Sequence, residues 1–141
     1  MPPEFDAARF IRAMGRNGHN GLVGLAYHQH GDNWAELRLD WREELAGDAG
    51  TGVLASGPII TMLDMASGIS IWLAAKTFRP TATVDLRVDY LRPAEPGQPL
   101  YGRSECYRMT RSIAFVRGHA HQGDEGRLVA HAAGTFMFTD G

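Results

Sequence analysis

Apolar and polar residues alternate most strictly at positions 81–91. Ala82, Val84, Leu86, Val88 and Tyr90 fall on one face and Thr83, Asp85, Arg87 and Asp89 on the other, the period of a half-buried β-strand. Two further runs, 22–30 and 34–41, flank Gly31-Asp32-Asn33. They predict a hairpin, the second run placing Ala35, Leu37, Leu39 and Trp41 opposite Trp34, Glu36, Arg38 and Asp40. After a turn at 93–99, residues 100–109 read as another strand. Residues 112–121 and 128–138 read as a hairpin around Gly123-Asp124-Glu125-Gly126. At the start, residues 4–14 space Phe5, Ala8 and Ile11 for a short amphipathic helix, ended by the glycine cluster at 15–21.

The interval from Leu54 to Ala75, LASGPIITMLDMASGISIWLAA, has neither alternation nor an amphipathic stripe. It predicts a helix over about 57–76 that is apolar on nearly every side and therefore buried all round. Gly57 and Pro58 suit its start, because proline is tolerated at the first helical position, where its missing N–H would have had no partner. The run is long enough to be mistaken for a membrane span, which needs roughly 20 apolar residues. Gly57, Pro58, a central acid and several hydroxyl residues argue against that reading. Asp64 is the single ionisable side chain in the run. A carboxylate among Ile, Met and Leu is strongly disfavoured unless it is paired or has a use, which makes Asp64 the foremost catalytic candidate. The structural alternative is a helix acid bonded to a backbone N–H or facing a wet interface.

Helix, two strands, buried helix and four strands form an α+β layout, an antiparallel sheet with one face to bury on a helix. At 141 residues the chain fits one domain spanning 1–141. Such a layer leaves a sheet face or edge to cover, so a dimer or a dimer of dimers is expected. A net charge of −2, with 14 basic and 16 acidic residues scattered along the chain, gives no nucleic-acid or anionic-membrane footprint. The single cysteine, Cys106, excludes an internal disulfide, and the Met-Pro-Pro-Glu start has no secretory pattern; together they point to a reducing cytoplasm.

Three segments carry a resemblance: GVLASGPIITMLDMASG, the strand VDLRVDYLRP followed by AEPG, and SIAFVRGHA with GRLVAHAAGTF. Over about residues 20–138 the chain resembles the PaaI-type acyl-CoA thioesterases of the hot-dog superfamily, in which a sheet wraps one long helix. The resemblance places the family's acid on Asp64. It places the family's strand end on Tyr90-Leu91-Arg92-Pro93 and its last motif on Ala132-Ala133-Gly134-Thr135-Phe136. The family's His-Gly-Gly turn falls on Ala55-Ser56-Gly57, so its histidine is replaced by Ala55. The amide that relatives carry before this turn aligns near Ala49, and a hydroxyl one turn after the acid aligns with Gly68. Asp48 and Ser67 are the neighbouring residues that could stand in for them.

The resemblance implies hydrolysis of an acyl-CoA to free acid and CoA, with no metal or redox cofactor. Asp64 would serve as base or nucleophile, and the Ser56 and Gly57 backbone N–H groups would hold the oxyanion at a helix start. It further implies a cleft closed by a second copy, with Thr83, Asp85, Arg87, Arg92, Arg111 and Ser112 as candidates to line it or meet nucleotide phosphates. Met65 and Trp72 would border the acyl group; ordinary core packing is their alternative. Two other functions stay open: an acyl-CoA-binding protein without turnover, and a hydratase or dehydratase. The second would need a histidine beside the acid, which the helix does not offer. His28 with His30 and His119 with His121 stand at i, i+2 on strand faces, compatible with metal ligation, but the spacing shows no third ligand. Cys106 sits in a strand without an evident base.

Overall fold

The computed structural model describes residues 4–141; the Met-Pro-Pro start lies outside the described residues. Asp6 opens the first helix by accepting the Arg9 backbone N–H at 3.0 Å, the ordinary side-chain cap of a helix start. Helix α1 (Ala7–Met14) turns Ala7 and Ile11 inward. The glycine cluster then departs from expectation, for it contains a second helix, α2 (Gly18–Val23). Gly24 ends α2 in the left-handed region at φ +86, a conformation glycine adopts at little cost. The Arg42 guanidinium donates to the Leu22 and Val23 carbonyls at 2.6 and 3.0 Å. Six residues are too few to show a helical period, and this clamp comes from 19–20 positions away, so local sequence carried little sign of α2.

The hairpin forms from β1 (Leu25–His30) and β2 (Trp34–Leu39), its turn closed by the Gly31 N–H on the Trp34 carbonyl at 2.9 Å. A 3-10 turn (Glu43–Leu45) precedes α3 (Ser56–Ala75), and β3 (Thr81–Tyr90), β4 (Leu100–Met109), β5 (Ile113–His121) and β6 (Ala130–Phe138) follow. All neighbouring strands are antiparallel, in the order β1-β2-β4-β5-β6-β3, and α3 packs chiefly on β2, β4 and β5. This is the hot-dog architecture.

Residues of α3 from Ala66 to Trp72 are all buried, as their composition predicts. The amino-terminal half differs: Ser56, Gly57 and Ile60 are exposed, and Thr61, Asp64 and Met65 half-buried. Asp64 therefore lies on an open face, not in the core. Pro58 occupies the third helical position rather than the first, still within the turn whose N–H groups lack intrahelical partners. By length and composition α3 could cross a membrane, yet it is this fold's core helix. It approaches β4 closely because Gly102 faces it: a Cβ there would lie 2.8 Å from Met62 Cε.

The strict alternation at 81–91 is broken by one residue. Thr83 pairs with Phe136 and Asp85 with Thr135, so Val84 is an extra residue, a β-bulge. Directly opposed residues share a face. Thr81 and Thr83 lie opposite Phe138 and Phe136, while Leu86, Val88 and Tyr90 lie opposite Gly134, Ala132 and Ala130, the inward side of β6. Thr83 thus joins Leu86 on the helix side, and Asp85, Arg87 and Asp89 face away. Gly134 permits the bulge, since a Cβ there would stand 2.8 Å from the Asp85 carbonyl oxygen.

Candidate active site

Asp64 projects from the open half of α3, where the Thr83 hydroxyl donates to its Oδ1 at 2.8 Å. The two border a cleft of about 390 Å³, with Ile60, Met65 and Leu86 as apolar walls. Thr61, His19 and Asn20 complete it. The last two come from α2, which sequence reasoning did not anticipate; Gly24 after a short apolar segment was the one local sign of a helix end there.

Ser56 and Gly57 stand two turns earlier. Ser56 lines a separate cavity of about 420 Å³ with Leu54, Ile59, Tyr90, Arg92 and Val129. The helix N-cap is Ala55, which supplies no side-chain hydrogen bond, so among the described residues no side chain caps the N–H groups at the helix start. Tyr90 donates to the Ser56 carbonyl at 3.4 Å, and burial raises its phenol above the usual tyrosine value, partly offset by that bond.

The other candidates divide by position. Met65 and Thr83 join Asp64, whereas Trp72 does not. Its indole donates to the Arg79 carbonyl at 2.8 Å and packs against Phe5, Phe10 and Phe78, clasping α1 to the end of α3. Arg87 lies on the outer face beside Asp89, at 3.1 Å, because the bulge reversed the strand's phase before it. Arg92 borders the second cavity, but its guanidinium donates to the Pro93 and Arg127 carbonyls at 3.0 and 3.1 Å, stitching loops together. Arg111 and Ser112 form the β4–β5 turn, where the Ser112 carbonyl accepts the Phe138 N–H at 3.0 Å, and they border neither cavity. Neither stand-in residue reaches Asp64's cleft. Ser67 is fully buried and donates to the Leu63 carbonyl at 2.7 Å, and Asp48 accepts the Gly50 N–H within its own loop at 3.0 Å.

A second polar cluster occupies the outer sheet face. Glu36, buried, accepts from His28 at 2.7 Å, Gln29 at 2.9 Å and His121 at 3.0 Å. Burial pushes its carboxyl upward, but hydrogen bonds from His121, Gln29 and His28 outweigh this and hold it below the usual glutamate value. Burial lowers the His119 imidazole, with His121 and Arg103 adding to the effect and Glu125 opposing it. Glu125 brings to His119 and His121 the third group that spacing alone did not show, all within 4.8 Å. The Gly123 N–H donates to His121 Nδ1 at 3.1 Å, which places the ring's own proton on Nε2, toward Glu36. Cys106 is buried, and burial raises its thiol.

A six-stranded antiparallel sheet packed on one apolar helix defines a hot-dog protein. The Thioesterase superfamily model matches residues 51–129, and the chain belongs to that family. It is 28% identical over 131 residues to the medium/long-chain acyl-CoA thioesterase YigI of Salmonella typhimurium, covering 84% of this chain and 83% of that one. A crystal structure of a Pseudomonas aeruginosa protein is 38% identical and superposes with a TM-score of 0.80 over 93% of this chain and 95% of the other. Zebra fish thioesterase superfamily member 2 shares the fold, with a TM-score of 0.83 at 19% identity over 98% and 99% of the two chains.

Proposed function

We propose that this protein is an acyl-CoA thioesterase of PaaI type, acting in the cytoplasm as a dimer or dimer of dimers. Asp64 activates the water that attacks the thioester carbonyl, or attacks it directly, and the Ser56 and Gly57 N–H groups hold the developing oxyanion. The observation that carries this reading is Asp64 itself: a carboxylate on the open side of an otherwise apolar helix, steered by Thr83 into a largely apolar cleft. The uncapped start of α3 supports the second half. An N-cap alanine is unfavourable by about 1 kcal/mol relative to serine, threonine, asparagine or aspartate, and it leaves the helix's positive end free for a ligand oxygen.

One chain does not bring the two halves together. Gly57 and Asp64 are seven residues apart on one helix, about 10 Å along its axis, and Ser56 and Asp64 border different cavities. A second copy joined along the free edge of β3 would set Asp64 of one subunit against the helix start of the other. That edge exposes Val84 and Tyr90. The apolar walls of the 420 Å³ cavity, among them Leu54, Ile59 and Val129, suit a hydrocarbon acyl chain. Medium and long chains, the class named for the Salmonella relative, are the first to try.

The test is CoA release from a panel of short, medium, long and aromatic acyl-CoAs by wild type and Asp64→Asn. Turnover by wild type that the variant loses, with an unchanged melting temperature, is expected; a panel without Asp64-dependent turnover overturns the reading. Ala55, which offers no polar side chain at the helix start, favours the rival of binding without turnover. That rival predicts stabilisation by acyl-CoA with no CoA released.

A further inference from the structure

Hydrolysis of a thioester ends with sulfur leaving, and the sulfur departs as a thiolate unless a proton reaches it. Among the described residues bordering Asp64's cleft, the side chains that titrate are Asp64 and His19. The other imidazoles are committed elsewhere or face away: His28 and His121 bond Glu36, His30 bonds the Tyr27 hydroxyl at 2.8 Å, and His119 lies opposite His131 on the outer sheet face.

His19 is also placed by a built element. Val23 is buried, Gly24 closes α2 with its N–H on the Asn20 carbonyl at 2.9 Å, and Arg42 clamps the carbonyls of Leu22 and Val23. An arginine that holds a six-residue helix at the rim of a cleft fixes the backbone from which His19 projects. His19 itself stays exposed to the cleft's solvent.

We infer that His19 is the general acid of this site, protonating the leaving sulfur. The inference rests on the thioesterase reading, with Asp64 as base. Asp64 takes a proton from water as the water oxygen bonds to the carbonyl carbon. The C–S bond then breaks with its electron pair on sulfur, and the protonated His19 ring gives its proton to that sulfur. The proton on Asp64 returns to His19 through water in the cleft, restoring both groups. A carboxylate and an imidazole in one cleft divide the base and acid roles between them.

The decisive experiment compares two thioesters of the same acid, one of CoA and one of an aryl thiol. The aryl thiolate is stable enough to leave without a proton. His19→Gln should lower kcat/KM for the CoA ester about 100-fold and for the aryl ester less than about threefold, with Tm unchanged. His19→Ser serves as the second variant should Gln lower Tm. An equal loss on both esters marks a structural or binding role, and no loss on either marks an idle residue; each overturns the inference. Failure of wild type to hydrolyse either ester instead overturns the thioesterase reading on which it stands.

Discussion

Thr83 reaches Asp64 only because the strand that carries it slips by one residue at Val84. In an unbroken strand Thr83 would share the outward face of Asp85, Arg87 and Asp89; the bulge turns it inward to donate to Asp64 Oδ1 at 2.8 Å. The bond holds one carboxylate oxygen, and the other is the one the proposed chemistry uses. Thr83→Val should cost about 1–2 kcal/mol of transition-state stabilisation, a loss of roughly 5- to 30-fold in kcat/KM. Thr83→Ser should recover most of it. Steady-state kinetics on the best acyl-CoA of the panel measures both.

The bulge in turn depends on Gly134. A methyl group there would press on the Asp85 carbonyl oxygen at 2.8 Å, a backbone atom that can yield only if the bulge moves. Gly134→Ala is expected to destabilise the protein by about 1–3 kcal/mol, lowering Tm by roughly 3–10 °C. It should also lower activity more than the stability loss explains, because Thr83 moves with the strand. Calorimetry and kinetics on the same preparation separate the two effects.

Acid should destabilise the fold through the outer sheet face. Glu36 is held below its usual pKa, so folding favours its charged form, and that stability is lost as pH falls through the folded-state value. His119 is also lowered, by burial, so the folded protein resists the proton that the unfolded chain accepts; its contribution is complete above about 6.5 and declines below it. Urea midpoints measured from pH 7.5 down to pH 4 should fall monotonically. His119→Gln should flatten the upper part of that decline and Glu36→Gln the lower part.

Val84 is 58% exposed on the free edge strand. Should two copies pair along β3, Val84→Lys will place like charges near one another at the join and shift the protein toward monomer. Sedimentation velocity reads the change in mass. CoA release should fall in parallel, since each proposed site draws on two subunits.

Local periodicity made the six strands legible, and the unbroken apolar composition of one interval did the same for the core helix and its candidate acid. The run around Asp64 is unmistakable by composition, and its open half is not, because a helix apolar on all sides does not say which side the sheet leaves uncovered. Glu36 is the counterpart: it alternates as an outward residue, and it does point outward, yet it is buried because His28, Gln29 and His121 close over it. The face of Thr83 was misread for a third reason. A bulge is set by the partner strand, here by Gly134, fifty-one positions on. The α2 helix and its His19 escaped because six residues held by a distant arginine leave no period to find.

The missing cap at Ala55 bears on how the ligand-free protein differs from the occupied one. A helix start that no side chain satisfies exchanges its hydrogen bonds with water until something better arrives. On the proposed reading, the carbonyl oxygen of a bound thioester is that something. The substrate then finishes the helix as a capping residue would, so that recognition of the carbonyl and completion of the secondary structure are a single event.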